Sequence, residues 1–405
     1  MIKKNLLVTA LIACGLGNVH AETTPSVEEM WKIIQQQQKT IEQLQSQINK
    51  NTKQVVAQKR NTEQTALAVE LISDNIDQSS TQSKSKYKFG GYGELHYGNT
   101  DTGNSVDFHR FVLFNGYDFT DKTRFYSELE VEHAYSGDGK PGEVEVEQAF
   151  IEHRFNDTIK MTAGVSLLPV GIINETHEPN TFYGVERNNI EKNIIPATWW
   201  AAGLGFSQEV SNSFGYDLYI GDGLNVPIDG SKAFLIRSGR QKVAKAIAND
   251  GSITARARFS PNNNLQINAS LQYQQDITQG ALDVDATLFE TNIIYNINNF
   301  SLKALYARWD LDDKVSEISA GRELQTGYFI EPSYRFGENN QFGVFARFSN
   351  WDNNAGDDNS DDEIKQNDIG FNFWLTPTVV FKADYQDQSG ASDDDGIHLG
   401  MGYSF

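Results

Sequence analysis

The sequence predicts an all-β transmembrane barrel of 16 antiparallel strands preceded by an α-helical coiled coil, and three observations carry that prediction. Beyond Tyr87, apolar and polar residues alternate in segments of about ten, separated by turns rich in Asn, Asp, Gly and Ser. Every second connection between these segments is short. Ahead of them, apolar residues recur every seven positions.

The composition narrows the alternatives. The chain has 405 residues, with 54 Asp and Glu against 34 Lys and Arg, for a formal charge of −20. Only 39% is hydrophobic, which supplies a thick α/β core poorly, whereas 24 Phe, 16 Tyr and 33 Gly suit short, tightly turned strands. Past the first residues no run approaches the roughly 18 apolar residues of a spanning helix, so a helical membrane protein is excluded. The acidic balance repels phosphate backbones and argues against nucleic acid as a partner.

Residues 1–21 read as a secretory signal: Lys3 and Lys4 precede the apolar stretch Leu6 to Cys14, and Val19-His20-Ala21 closes it. A competing reading takes Leu11-Ile12-Ala13-Cys14 as a lipoprotein cleavage box, behind a very short apolar segment. Cleavage after Ala21 removes the only cysteine, leaving no disulfide and no thiol chemistry. A large exported chain must then stabilise itself by other means, such as a closed sheet.

Residues 22–76 follow a heptad. Val27, Ile34, Ile41, Ile48, Val55, Val69 and Ile76 form the a row, broken by Thr62, while the d row is half polar, with Gln37, Asn51, Gln58 and Thr65 among its members. Such a seam is a weak dimer zipper and is compatible with three strands in a larger assembly. The bland alternative is a Gln-rich linker. Residues 77–86 lose the repeat and read as a hinge.

Residues 87–405 form the barrel domain. Strands are expected to begin near Tyr87, Val106, Thr123, Glu143, Ile159, Trp200, Phe214, Ser252, Leu265, Val284, Phe300, Gln325, Gln341, Gln366, Val379 and Gly396. Short turns fall at Thr120 to Lys122, Asn156 to Thr158, Ser211 to Ser213, Pro261 to Asn264, Asn296 to Asn299, Gly337 to Asn340 and Thr376 to Thr378. The intervening connections are longer and in general more acidic, including Leu167 to Trp199, Gly223 to Gly251, Leu311 to Leu324 and Trp351 to Lys365. Short periplasmic turns alternating with long external loops are the habit of an outer-membrane barrel, and nothing enforces it in a soluble sandwich. Closure also pairs every backbone group inside hydrocarbon and leaves no edge. Aromatics near strand ends, among them Phe119, Phe155, Trp199, Trp200, Phe259, Trp309, Phe336, Trp351 and Trp374, are expected in an interfacial girdle.

Gly90 to Gly98, the strand Val106 to Phe111, the stretch Ala163 to Gly171 leading to Glu186-Arg187-Asn188, and the closing Tyr403-Ser404-Phe405 together resemble the phosphate-selective porin O/P family. A coiled coil ahead of such a barrel is similar to its DcaP-like branch. The resemblance implies a sixteen-stranded trimer in the Gram-negative outer membrane, its coiled coil in the periplasm, assembly aided by the terminal aromatic, and uptake of small anionic solutes. Expected partners are those solutes, outer-membrane lipid and lipopolysaccharide, and two further copies of the chain; no cofactor is expected.

If the polar alternate of each strand faces the lumen, Arg256, Arg258, Arg335, Arg347 and Lys382 line it, as do Glu128, Glu130, Glu132, Glu331 and Asp384. A wall of mixed sign orients charged solutes, and its cations hold carboxylate or phosphate through forked hydrogen bonds. The plainer reading is that these charges pair across strands. The segment Leu167 to Trp199 carries Ile172, Ile173, Phe182, Ile194 and Ile195, which want a wall to pack against, so it is expected to fold inward. In the resembled family a loop here forms the constriction, which makes Arg187 and Lys192 the selectivity candidates. The sparser, more acidic lumen argues for a broad anion or organic-acid channel over strict phosphate selectivity. Asp357 to Glu363 and Asp393 to Asp395 match no calcium-loop spacing, the histidines show no metal-ligand spacing, and no metal site is expected. No nucleophile motif supports an enzyme. A structural or adhesive barrel tethered through its coiled coil is the alternative function.

Overall fold

The structure, a computed structural model, describes residues 85–357, 359 and 362–405 together with positions 31, 35, 38, 39 and 45, which are helical and exposed. The signal segment, the heptad row from Val27 to Ile76 and most of the hinge lie outside the described residues.

Sixteen strands form the barrel: β1 (Tyr87–Thr100), β2 (Gly103–Asp118), β3 (Thr123–Glu132), β4 (Val144–Arg154), β5 (Ile159–Leu167), β6 (Trp200–Glu209), β7 (Phe214–Gly221), β8 (Ser252–Asn262), β9 (Leu265–Gln274), β10 (Ala286–Ile297), β11 (Phe300–Leu311), β12 (Leu324–Phe336), β13 (Phe342–Asp352), β14 (Ile364–Thr376), β15 (Val379–Gly390) and β16 (Gly396–Ser404). Each strand start lies within three residues of the position expected from alternation. Every strand pairs antiparallel with its chain neighbours, and β1 closes on β16 from Tyr92 opposite Ser404 to Thr100 opposite Gly396. Gly91 and Phe405 extend that seam by exchanging both backbone hydrogen bonds, at 2.9 and 3.0 Å. No edge is left for water or another chain to satisfy.

Strand alternation separates the two faces. In β9, Asn268, Ser270, Gln272 and Gln274 are buried inside, while Leu271 and Tyr273 face outward with Leu204, Leu218, Ile253, Ile369 and Leu399 of other strands. Those outward side chains form the apolar belt that lipid covers. Beside the short turns stand the exposed rings of Phe119, Phe155, Phe214, Phe259, Phe300 and Phe336, an interfacial girdle at that rim. The tryptophans correct the girdle expectation. None of Trp199, Trp200, Trp309, Trp351 and Trp374 is more than 6% exposed, and Trp199, Trp309, Trp351 and Trp374 belong to apolar clusters inside the barrel.

They are inside because the interior holds an apolar core that a plain water-filled barrel lacks. Leu168, Ile190, Ile194 and Ile195 of the segment 168–199, and Leu224, Val226, Phe234 and Ile236 of the segment 222–251, pack on Leu288, Leu305, Trp309, Phe329 and Trp351 of the wall. The indole N–H of Trp309 donates to the Ile194 carbonyl at 2.9 Å. Burial of each such side chain contributes about 1.5–3 kcal/mol, enough in sum to hold both segments in the barrel. The phase of β11 follows: Leu305, Ala307, Trp309 and Leu311 point inward, whereas Arg308 and Asp310 pair on the outside. Polar-inward alternation fails in this strand because its inner neighbour is protein, not water.

Candidate functional site

The segment 168–199 narrows the lumen and is braced from within. Gly171 turns the chain at φ +81°, where a Cβ would collide with Glu191 Oε1, so neither the conformation nor the space favours a side chain. That same oxygen accepts the backbone N–H groups of Ile172 and Ile173, both at 2.7 Å, and Glu191 Oε2 accepts from Asn188 Nδ2 at 2.9 Å. Burial of the carboxyl raises Glu191 above its ordinary pKa despite these donors. Asn174 staples the base of the segment: its Nδ2 donates to the Leu168 and Trp199 carbonyls, and its Oδ1 accepts from the Trp199 N–H at 2.7 Å.

Two spaces remain beside this brace. One of about 340 Å³, towards the short turns, is lined by Arg124, Glu152, Lys160, Asp217, Arg256 and Arg258. The other, about 550 Å³ and towards the opposite rim, is lined by His96, Arg110, Glu132, Arg187, Lys192 and Arg237 among others. The predicted basic residues divide sharply by partner. Arg256 pairs with Asp217 at 2.8 Å and with Glu175; Arg258 pairs with Asp217 at 2.9 Å and Glu209 at 2.7 Å. Arg347 is buried against Glu331 at 2.7 Å and Asp368 at 3.6 Å. Arg335 lies over the Trp374 ring, 3.8 Å from its centroid, and Lys382 lies 3.6 Å over Phe182, buried under the inward segment.

Arg187 differs from Arg256, Arg258 and Arg347, which are matched by carboxylates. Its guanidinium donates to Thr198 Oγ1 at 2.8 Å and to the His177 carbonyl at 3.4 Å, and to no carboxylate. Two arginines missed in the sequence share this condition. Arg237 donates to the Ala197 and Lys192 carbonyls at 2.7 and 3.1 Å, and Arg240 to the Thr198 carbonyl at 2.6 Å. Burial first, then the Arg240 and Arg187 charges, pulls Arg237 down to about 9, so it still carries its charge at neutral pH. Lys192 stands exposed on the same space. Among the described residues, none of Arg187, Lys192, Arg237 and Arg240 has a carboxylate within ion-pair distance. The signal for the added pair was legible: Lys232, Arg237, Arg240, Lys242 and Lys245 crowd one segment, against the general acidity of the long connections.

The acidic groups nearby are mostly engaged. Arg110 binds Glu94 at 2.7 Å and Glu130 at 3.3 Å, His96 binds Glu186 at 2.8 Å, and Lys242 holds Glu143 and Glu145. Histidines scattered in the sequence come together here: His96 stacks on His109 with centroids 4.6 Å apart, and His109 and His133 share Asp107 Oδ2 at 3.1 and 2.8 Å. Two β-bulges help to assemble these groups. One, where Glu94 to His96 faces Asp107 to Arg110, brings both His109 and Arg110 to the same space; another opposite Glu128 and Leu129 sets Glu147 and Gln148 both against the interior.

Comparison with known proteins agrees with this architecture. Residues 195–404 match the family described as Gram-negative porin. An uncharacterized protein of Aquifex aeolicus (strain VF5) is 30% identical over 344 residues, covering 78% of this chain and 79% of its own. An anion-selective porin from Comamonas acidovorans has a similar structure, with a TM-score of 0.56 at 13% identity over 80% of this chain and 100% of that one. The outer membrane channel DcaP of Acinetobacter baumannii gives 0.53 at 12% identity over 80% and 99%.

Proposed function

The chain belongs to the Gram-negative porin family and forms an outer-membrane channel, and from that premise we propose that the channel passes small anionic solutes, organic acids or phosphate, past Arg187, Lys192, Arg237 and Arg240. One observation carries this reading: the three guanidiniums are oriented by hydroxyl and carbonyl oxygens alone. Their charge is therefore available to a passing anion, whereas Arg256, Arg258 and Arg347 spend theirs on carboxylates. A fork-shaped donor group suits carboxylate and phosphate oxygens alike. Glu132 faces the same space and tempers the field. The anion-selective porin among the structural relatives supports the sign of the selectivity.

The same reading places this barrel in the DcaP-like branch of the phosphate-selective porin O/P family, as a homotrimer with residues 22–76 as a periplasmic coiled coil. A broad anion or organic-acid channel fits better than strict phosphate selectivity because the unpaired cations are few. Single-channel recording across a salt gradient tests the proposal. The expected reversal potential has the sign of anion preference, dicarboxylates and phosphate block from one side, and R187A/K192A/R237A/R240A moves the potential towards cations. Cation preference in the unaltered protein overturns it, and a barrel without stepwise current favours the tethering role.

A further inference from the structure

We propose that Glu128, Glu147 and His177 form a binding site for a divalent transition metal, with zinc the best match, which ties the inward segment 168–199 to the barrel wall. Glu128 lies on β3, Glu147 at the bulge of β4 and His177 on the inward segment, so the three groups come from three separate elements. All are nearly inaccessible, at 2%, 1% and 3% exposure. His177 Nε2 stands 3.5 Å from Glu128 Oε1 and 3.5 Å from Glu147 Oε2.

That distance is informative. It is too long for a hydrogen bond, which an N–H···O contact makes at about 2.7–3.2 Å. It is close to the edge of a tetrahedron drawn round a cation whose ligand bonds are about 2.0–2.1 Å. Accordingly His177 Nε2 and Glu147 Oε2 are both buried without a hydrogen-bond partner, an expensive condition for a polar atom unless something sits between them. The imidazole is already set for coordination: Nδ1 lies 3.1 Å from the Asn174 carbonyl, a contact that fixes the proton on Nδ1 and turns the Nε2 lone pair towards the carboxylates. The other ligand is supported too, Gln148 Nε2 donating to Glu128 Oε2 at 2.5 Å.

Charge argues in the same direction. Glu94, Glu128, Glu130 and Glu147 are all buried here, and Arg110 answers only Glu94 and Glu130 within ion-pair distance. The remaining two carboxylates need positive charge. A proton on His177 is the rival occupant, but from 3.5 Å it completes a hydrogen bond to neither carboxylate. Two carboxylates and one imidazole form a donor set that zinc accepts, with water completing its shell. Gln148, which holds Glu128, also lines the space of about 340 Å³.

The test uses the full-length protein in detergent, stripped with EDTA, loaded with Zn²⁺ and washed, with metal counted by mass spectrometry. The Asp107–His109–His133 group is a second place where zinc can lodge, so the measurement is made in an H133N background. One zinc per chain is expected there, together with a raised thermal midpoint. Adding H177N or E147Q should weaken retention by more than the ~10–100-fold that supporting groups outside the ligand set are worth, and abolish the zinc-dependent shift. Absence of bound zinc in H133N, or equal retention with either added substitution, overturns the proposal. Should both doubly substituted proteins fail to fold, zinc-edge X-ray absorption of H133N decides: one imidazole nitrogen among oxygens at about 2.0–2.1 Å supports the site, and a shell without imidazole refutes it.

Discussion

The two halves of the barrel interior obey different chemistry. Along β9 to β13 the upper wall is covered by an apolar core, built from Trp309, Trp351, Phe329 and Leu305 with the inward segments. Along β1 to β4 and β14 to β16 the inner side chains are ionic, among them Glu94, Arg110, Glu130, Glu147, Asp368, Lys382 and Asp384. The first half anchors the inward segments, and the second presents charge to the lumen. The contrast teaches that a constriction is a packing problem before it is an electrostatic one. Arg187 and Arg237 can point unpaired at the lumen only because their backbone is held by hydrophobic burial and by Glu191 on the other side.

Substitutions in the apolar half should therefore act on stability and pore size, and those in the ionic half on selectivity. Trp309→Ala carries the largest expected effect, about 3–5 kcal/mol from cavity formation, with larger and noisier single-channel currents as the inward segment loosens. Denaturant unfolding in detergent measures the first and planar-bilayer recording the second. Unchanged currents with lowered stability would show that the segment is held by its own brace alone. Glu191→Ala comes next. It strands the Ile172 and Ile173 N–H groups, at about 1–3 kcal/mol for each donor left buried, and should widen the channel as well.

Removing Arg187 and Arg237 together should leave the unfolding midpoint nearly where it was. Each unit charge about 4 Å from a passing anion is worth about 1 kcal/mol in water, so the permeability ratio should fall several-fold, read from the reversal potential. Arg258→Ala is the smallest case: its charge is already matched by Asp217 and Glu209, and the potential should barely move. If it moves as far as in the Arg187 and Arg237 variant, the distinction between paired and unpaired cations fails.

Much of the fold was readable because lipid on one side and water on the other impose a period of two on each strand. Ser252 to Phe259 and Leu265 to Gln274 show it plainly, and the short turns fix the count of strands. The inward path of the segment 168–199 was readable too, from Ile173, Ile194 and Ile195, whose exposure on an outer loop would have no physical reason. The role of the segment 222–251 was not drawn from its sequence, although its cluster of basic residues was visible. The inverted phase of β11 was hidden, since Trp309 and Leu305 look like lipid-facing residues until a protein neighbour inside the barrel is known.

The sequence by itself determined where the chain pairs, turns and alternates, because those features depend on neighbours one, two or ten residues away. Only the closed barrel decided which charges are spent on one another. Arg347 finds Glu331 across a strand pair and Arg256 finds Glu175 from a distant loop, while His177 meets Glu128 and Glu147 at a bulge. Such partnerships depend on closure, register and one extra residue in a strand, and a shift of register by a single position turns every side chain to the other face.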